Sequence, residues 1–204
     1  MRPAREHIRQ VLHPVEAAGR LPVAGGEEAP VGRPAGVLVP LEWTDEGWRV
    51  LLTVRTAHLS THAGQVSLPG GRQEAGDRGP VDTALRETEE ETGIAADFVE
   101  VAGILDRYPT VTGFVMTPVV GFLQPGFSLR RQPEEVEELF WMPLERAVDP
   151  AWYENRSLVF RGRRRHYHAQ EFQGHVVWGA TAAILLGLGE RLNSLQGGAS
   201  ADAI

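Results

Sequence analysis

Gly70-Gly71-Arg72-Gln73-Glu74-Ala75-Gly76-Asp77, continuing to Leu85-Arg86-Glu87-Thr88-Glu89-Glu90-Glu91-Thr92-Gly93-Ile94, is the stretch on which the reading of this 204-residue chain turns. Pro80 suits the first position of a helix and Gly93 the position just past its end, so a helix is predicted over Pro80 to Thr92. Val81, Ala84, Leu85, Thr88 and Thr92 recur at helical spacing and form its inward face. Residues three and four apart share a helix face, which places Glu87, Glu90 and Glu91 together opposite that inward face, with Glu89 pointing elsewhere into solvent. Like charges so placed repel by roughly 0.2–0.5 kcal/mol per neighbouring pair. They also sit at the negative end of the helix dipole. A hard divalent cation, Mg2+ or Mn2+, resolves the conflict, because it seeks carboxylate oxygens and accompanies phosphate substrates. A plain acidic, solvated helix face is the competing explanation, and the glycines on either side weigh against it. Gly70-Gly71 lets the backbone come close to a ligand.

Outward from this segment, strands dominate. Ala35 to Leu41 and Trp48 to Val54 flank the turn Asp45-Glu46-Gly47 and predict a hairpin. Val66-Ser67-Leu68 is a short strand running into Pro69-Gly70-Gly71. Further strands are expected over Phe98–Asp106, Val115–Leu123 and Glu138–Trp141. A helix is expected over Ile8–Ala18, and a last one over Trp178–Asn193, with Trp178 packing that helix on the core. The pattern is α/β (α+β), a mixed sheet flanked by helices in an α/β/α sandwich. Residues 1–34 read as a helix-and-loop extension, 35–195 as one domain and 196–204 as a flexible tail.

Composition narrows the chemistry. Hydrophobic residues make up 42% and charged residues 23%, ordinary for a globular domain. There is no cysteine, which excludes disulfides, thiolate catalysis and Cys-based zinc sites. All 20 basic residues are arginine, so no lysine takes part in catalysis. With a net charge of −7, the chain does not hold nucleic acid through its overall field. A polyphosphate must be gripped locally instead, by metal, backbone NH groups and a few arginines. No apolar run is long enough to cross a bilayer, and no secretory signal opens the chain, so a cytoplasmic location is expected.

The quoted segment resembles the Nudix box. Arg86-Glu87-Thr88-Glu89-Glu90-Glu91-Thr92-Gly93-Ile94 is similar to its second half, with Thr88 at a more commonly hydrophobic position. Counted from Gly71, the acidic position of the first half is Asp77 instead of Glu, and the run to Arg86 is one residue longer, which leaves Asp77 without an assigned role. The same departure occurs in the coenzyme A pyrophosphatase branch. That branch is also resembled by Leu51-Leu52-Thr53-Val54-Arg55-Thr56, by Leu59 to Gly71 (with Leu68 where Phe is more usual), and by Tyr108 to Phe114. Thr117 to Gly121, Glu135 to Leu144 and Val177 to Ala182 are similar to later segments of the same branch.

The resemblance implies water attack on a P–O–P bridge, yielding two monophosphates, with Mg2+ or Mn2+ as cofactor. It implies metal binding by Glu87, Glu91 and Glu90, with Gly71 contributing its backbone; Arg86, four residues before Glu90, is spaced to hold that carboxylate in place. The general base is Glu90 or Glu135. Arg55, His62, Gln65, Gly70 and Gly71 border the expected substrate site. Arg55 contacts phosphate or forms a surface ion pair; His62 touches substrate or bonds loop backbone. The run Arg161, Arg163, Arg164, Arg165 is read as a solvated surface loop, with a 3′-phosphate contact as the alternative. The expected substrate is coenzyme A or acyl-coenzyme A, cleaved to 3′,5′-ADP and 4′-phosphopantetheine or its acyl form. Alternatives are ADP-ribose or a dinucleotide as substrate, or a non-catalytic ligand-sensing domain. Neither nucleic acid nor membrane is an expected partner; a homodimer is admitted.

Overall fold

The computed structural model describes residues 3–24, 32–57, 64–160 and 162–198. The chain opens with α1 (Arg5–Gln10) and a 3₁₀ segment (Val15–Arg20). One continuous helix over Ile8–Ala18 was the expectation. Pro14 breaks it, since a residue preceding proline is pushed out of the helical region. The hairpin expected around Asp45–Gly47 forms from β1 (Arg33–Thr44) and β2 (Gly47–Arg55), paired antiparallel with Leu41 opposite Val50.

The strands β1 and β2 pair with each other only near their turn, over Leu41–Thr44 and Gly47–Val50. Farther on they part. Strand β3 (Val66–Ser67) pairs with β2, and β4 (Gly70–Arg72) pairs with β1, Gly71 lying opposite Gly36. A donated hydrogen bond from the Leu38 amide to the Pro69 carbonyl, 2.8 Å, holds the connection between them in the fork. Helix α2 (Pro80–Thr92) follows, with both ends where the sequence placed them. Gly93 is left-handed (φ 77°) and its NH donates to the Glu89 carbonyl, the helix stop that glycine favours.

The chain continues through β5 (Val99–Ile104), β6 (Tyr108–Pro109), β7 (Phe114–Leu123), β8 (Val136–Pro143) and α3 (Leu144–Val148). Strand β7 runs parallel to β1 along its whole length, whereas β5, β6 and β8 pair antiparallel with their neighbours, so the eight-stranded sheet is mixed. Both of its faces are covered. Val37, Val39, Val50, Leu52, Val120 and Phe122 pack on one side with Leu185 and Leu188. Leu38, Leu51 and Val119 pack on the other with Ala84 and Ile94. Burial on two faces explains why these strands read as continuous apolar runs instead of alternating ones. The layering is the expected α/β/α sandwich.

A second sheet was not anticipated. Strands β9 (Glu154–Phe160), β10 (Arg163–Phe172) and β11 (His175–Trp178) form antiparallel hairpins before α4 (Gly179–Gly198). Arg163, Arg164 and Arg165 therefore stand on a strand, exposed, instead of in a loop; Arg161 lies outside the described residues. Helix α4 extends beyond the predicted Asn193, and the expected tail overlaps its end. Trp178 does not lead the helix onto the core. Its half-buried ring meets Tyr167 at 5.3 Å, and Ala182, Leu185, Leu188 and Leu192 make the core contact. Among the described residues, no helix is long and apolar enough to cross a membrane.

Candidate active site

The fork between β1 and β2 sets β4 against α2. A Cβ built on Gly71 would overlap the carboxylate of Glu87, so glycine lets that side chain lie directly under the strand. One residue earlier, the Gly70 NH donates to Oε2 of Glu91 at 3.3 Å. From the end of β2, the Arg55 guanidinium reaches Oε1 of the same carboxylate at 3.5 Å. Arg55, Gly70, Gly71, Glu87 and Glu91 thus meet in one place.

The three clustered glutamates of α2 have different surroundings. Glu91 is 2% exposed, on the edge of the inward face, not opposite it as the helical spacing suggested. Burial pushes its carboxyl up to about 8, only partly offset by Arg55 and the Gly70 amide. Glu87 is half-buried and its carboxyl is also raised, by burial first, with Arg86 opposing. Glu90 does not converge with the other two: its side chain is 60% exposed. Glu89 is exposed, as expected. The inward Thr88 and Thr92 hydroxyls donate to the carbonyls four residues back, each at 2.6 Å, which explains how threonine serves at a position where an apolar side chain is more usual.

Arg86 was expected to steady Glu90, which it reaches only at 3.5 Å; it holds Glu87 at 2.8 Å. Its strongest attachment is to Asp77, to which Nε and a terminal nitrogen donate at 3.1 and 3.0 Å. Asp77 also accepts from the Glu74 amide and the Thr83 hydroxyl, both at 2.9 Å. With the Arg86 guanidinium and these donors around it, its carboxyl is held well below the usual carboxylate range. Asp77 is the residue that sequence reasoning missed. The only available signal was its position six residues after Gly71, and the longer run to Arg86 obscured the pairing.

Glu135 immediately precedes β8, whose first residue, Val136, pairs with Arg55. Its charge acts on both Glu87 and Glu91. It is exposed, and its carboxylate has no hydrogen-bond or ion-pair partner among the described residues. Gln65 is half-buried and its carbonyl accepts from the Arg55 amide at 3.0 Å. His62 lies outside the described residues.

Among the described residues, no three acidic or histidine side chains already stand close enough to grip a metal. Arg86 draws Glu87 and Glu90 toward itself, and Arg55 draws Glu91. The donor chemistry nonetheless suits a hard dication. A buried carboxylate is left short of positive charge, a second lies beside it, and the Gly71 backbone carries a further oxygen. Among the described residues, Nε of Arg55 is buried without a hydrogen-bond partner beside Glu91, a donor suited to an anionic oxygen of a ligand.

The NUDIX domain family model matches residues 32–162. The chain is 38% identical over 160 residues to a protein named "Uncharacterized Nudix hydrolase NudL" from Photorhabdus laumondii, the match spanning 78% of this chain and 85% of the relative. The protein of the same name from Salmonella paratyphi B is 39% identical over 153 residues, 75% of this chain and 79% of the relative. Among solved structures, a Nudix hydrolase from M. smegmatis, RenU, superposes with a TM-score of 0.48 at 21% identity, over 62% of this chain and 80% of that one. A C. elegans Ap4A hydrolase gives 0.46 at 21% identity, over 57% and 83%.

Proposed function

This chain belongs to the NUDIX family, hydrolases acting on pyrophosphate bonds of nucleotide derivatives, and from that premise we propose that it cleaves coenzyme A or acyl-coenzyme A to 3′,5′-ADP and 4′-phosphopantetheine or its acyl form. Residues 35–195 are the hydrolase unit. The observation that carries the reading is the meeting of Glu91 and Glu87 with the Gly70-Gly71 backbone and Arg55, all beside one buried, charge-deficient carboxylate. The upstream segment that resembles the coenzyme A branch supplies Arg55 and both glycines, which ties that resemblance to the reacting centre.

Enzymes of this family use divalent cations such as Mg2+ or Mn2+. Glu87 and Glu91 would hold the cation, with the Gly71 carbonyl and, once turned in from solvent, Glu90 as further oxygen donors. When bound, it neutralises the diphosphate and makes water easier to deprotonate. Arg55, already charged and aimed into the cluster, binds and orients the phosphate. Arg86, fixed by Asp77, keeps Glu87 turned toward Gly71. Glu135 takes the proton from the attacking water. It is preferred over Glu90 because, among the described residues, its carboxylate is unengaged while its charge acts on both Glu87 and Glu91.

The test is a panel assay with Mg2+ and Mn2+ in which kcat/KM for coenzyme A, acyl-coenzyme A, ADP-ribose and a dinucleotide are compared. Coenzyme A or its acyl form is expected to be cleaved fastest. Faster cleavage of ADP-ribose would refute the substrate while leaving the chemistry intact.

A further inference from the structure

Between β7 and β8 the chain makes a tight turn that is fastened to two separate parts of the site. At one attachment it caps α2. The Arg130 NH donates to the Thr92 carbonyl at 2.8 Å and the Gln132 NH to the Glu91 carbonyl at 3.1 Å. These are two of the last-turn carbonyls that a helix cannot satisfy from within. At the other attachment it is bound to Thr56, the residue following Arg55. The Thr56 hydroxyl donates to the Glu134 carbonyl at 3.0 Å, and the Thr56 NH to the Glu135 carbonyl, also at 3.0 Å.

The turn is closed internally as well. The NH groups of Glu135 and Val136 both donate to the Gln132 carbonyl, at 3.1 and 2.8 Å, and Arg131 donates to the Val136 carbonyl at 3.0 Å. Among the described residues, every fastening on Glu134 and Glu135 is made through backbone, which leaves the Glu135 carboxylate unengaged while its Cα is fixed. Thr56 is only 5% exposed, although a lone surface hydroxyl would do as well for solubility.

We infer that Thr56 is a positioning residue: its hydroxyl, acting with the capped end of α2, holds the 130–136 turn so that the Glu135 carboxylate faces the Glu87–Glu91 pair. The inference rests on Glu135 serving as the base. Its physical content is orientation. A misplacement of the order of 1 Å in a reacting group costs up to about a hundredfold in rate, and one of the two bonds at Thr56 depends on the side chain. Valine at this position keeps the shape and the backbone NH bond and removes only the hydroxyl donor.

The experiment measures kcat and KM at saturating Mg2+ for wild type, Thr56→Val, Thr56→Ser, Glu135→Gln and the double variant Thr56→Val with Glu135→Gln, using the fastest substrate of the panel. Thr56→Val is expected to lower kcat about tenfold with KM little changed. Thr56→Ser is expected to restore the rate, and the double variant to be no slower than Glu135→Gln alone, because the two changes remove one function. If Thr56→Val does not fold, Thr56→Ala takes its place with the same expectation. A wild-type kcat in the hydroxyl-free variant, no recovery in Thr56→Ser, or losses that multiply in the double variant overturns the inference. Glu135→Gln at full rate overturns the base assignment and the inference with it. A slow Glu135→Gln beside a fast Thr56→Val overturns the positioning role alone.

Discussion

Glu91 is an unfavourable residue for this fold unless a cation accompanies it. Its carboxyl, pushed up to about 8 by burial, remains protonated in the metal-free protein at a pH where the unfolded chain has long since ionised. Between about pH 4.5 and 8 the folded state therefore carries the extra proton, and stability falls as pH rises through that window. Glu91→Gln removes the titration. The metal-free variant is expected to show a higher Tm than wild type at pH 8 and a smaller difference at pH 5, while its turnover is abolished. Equal Tm values at both pH values would contradict this. Asp77 has the opposite sign. Its lowered carboxyl contributes stability that is present above the unfolded pKa and lost as pH falls through the folded one. Asp77→Asn breaks the two-pronged pair with Arg86 and is expected to cost about 1–3 kcal/mol in urea unfolding. It also lowers kcat by freeing Glu87. A variant with unchanged stability would remove Asp77 from the account.

At the level of elements, the close approach of β4 to α2 yields a separable prediction. Gly71→Ala sets a methyl group against the far end of the Glu87 side chain, which can swing away. The fold is expected to persist with nearly unchanged Tm while kcat falls by about ten- to a hundredfold; a fully active Gly71→Ala would show that Glu87 need not lie under the strand. Legibility of the elements follows from how local their causes are. Pro80 and Gly93 delimit α2 by their own backbone preferences, so its bounds were readable from sequence. Pro14 could have been read in the same way and was passed over within an amphipathic stretch. The β9–β10–β11 sheet was hidden because exposed polar side chains occupy most of β10 and the turn into β11 is only two residues long. Gln173-Gly174 closes that turn, with both residues at positive φ. The glutamate spacing revealed a shared helix, but not that Glu91 faces inward and Glu90 outward, because that depends on which side of α2 the sheet covers.

For the whole molecule, the two-faced sheet separates chemistry from support. Helix α2 and the site lie on one face; α4 covers the other. There Arg191 donates to the Val11 carbonyl at 2.7 Å and to Asp106 at 2.8 Å, while His13 bonds Asp106 at 2.9 Å, joining the N-terminal segment, the end of β5 and α4. Arg191→Met is expected to destabilise the protein by about 1–3 kcal/mol, measured by denaturant unfolding, with kcat per folded molecule unchanged. A kcat loss without destabilisation would mean that the far face takes part in catalysis. Central to the proposed function is a divalent cation that Glu87 and Glu91 would hold. Titration calorimetry with Mn2+ on wild type, Glu87→Gln and Glu91→Gln tests that most directly. Saturable uptake by wild type and sharply weakened uptake by both variants are predicted; equal affinity in all three proteins would contradict the account.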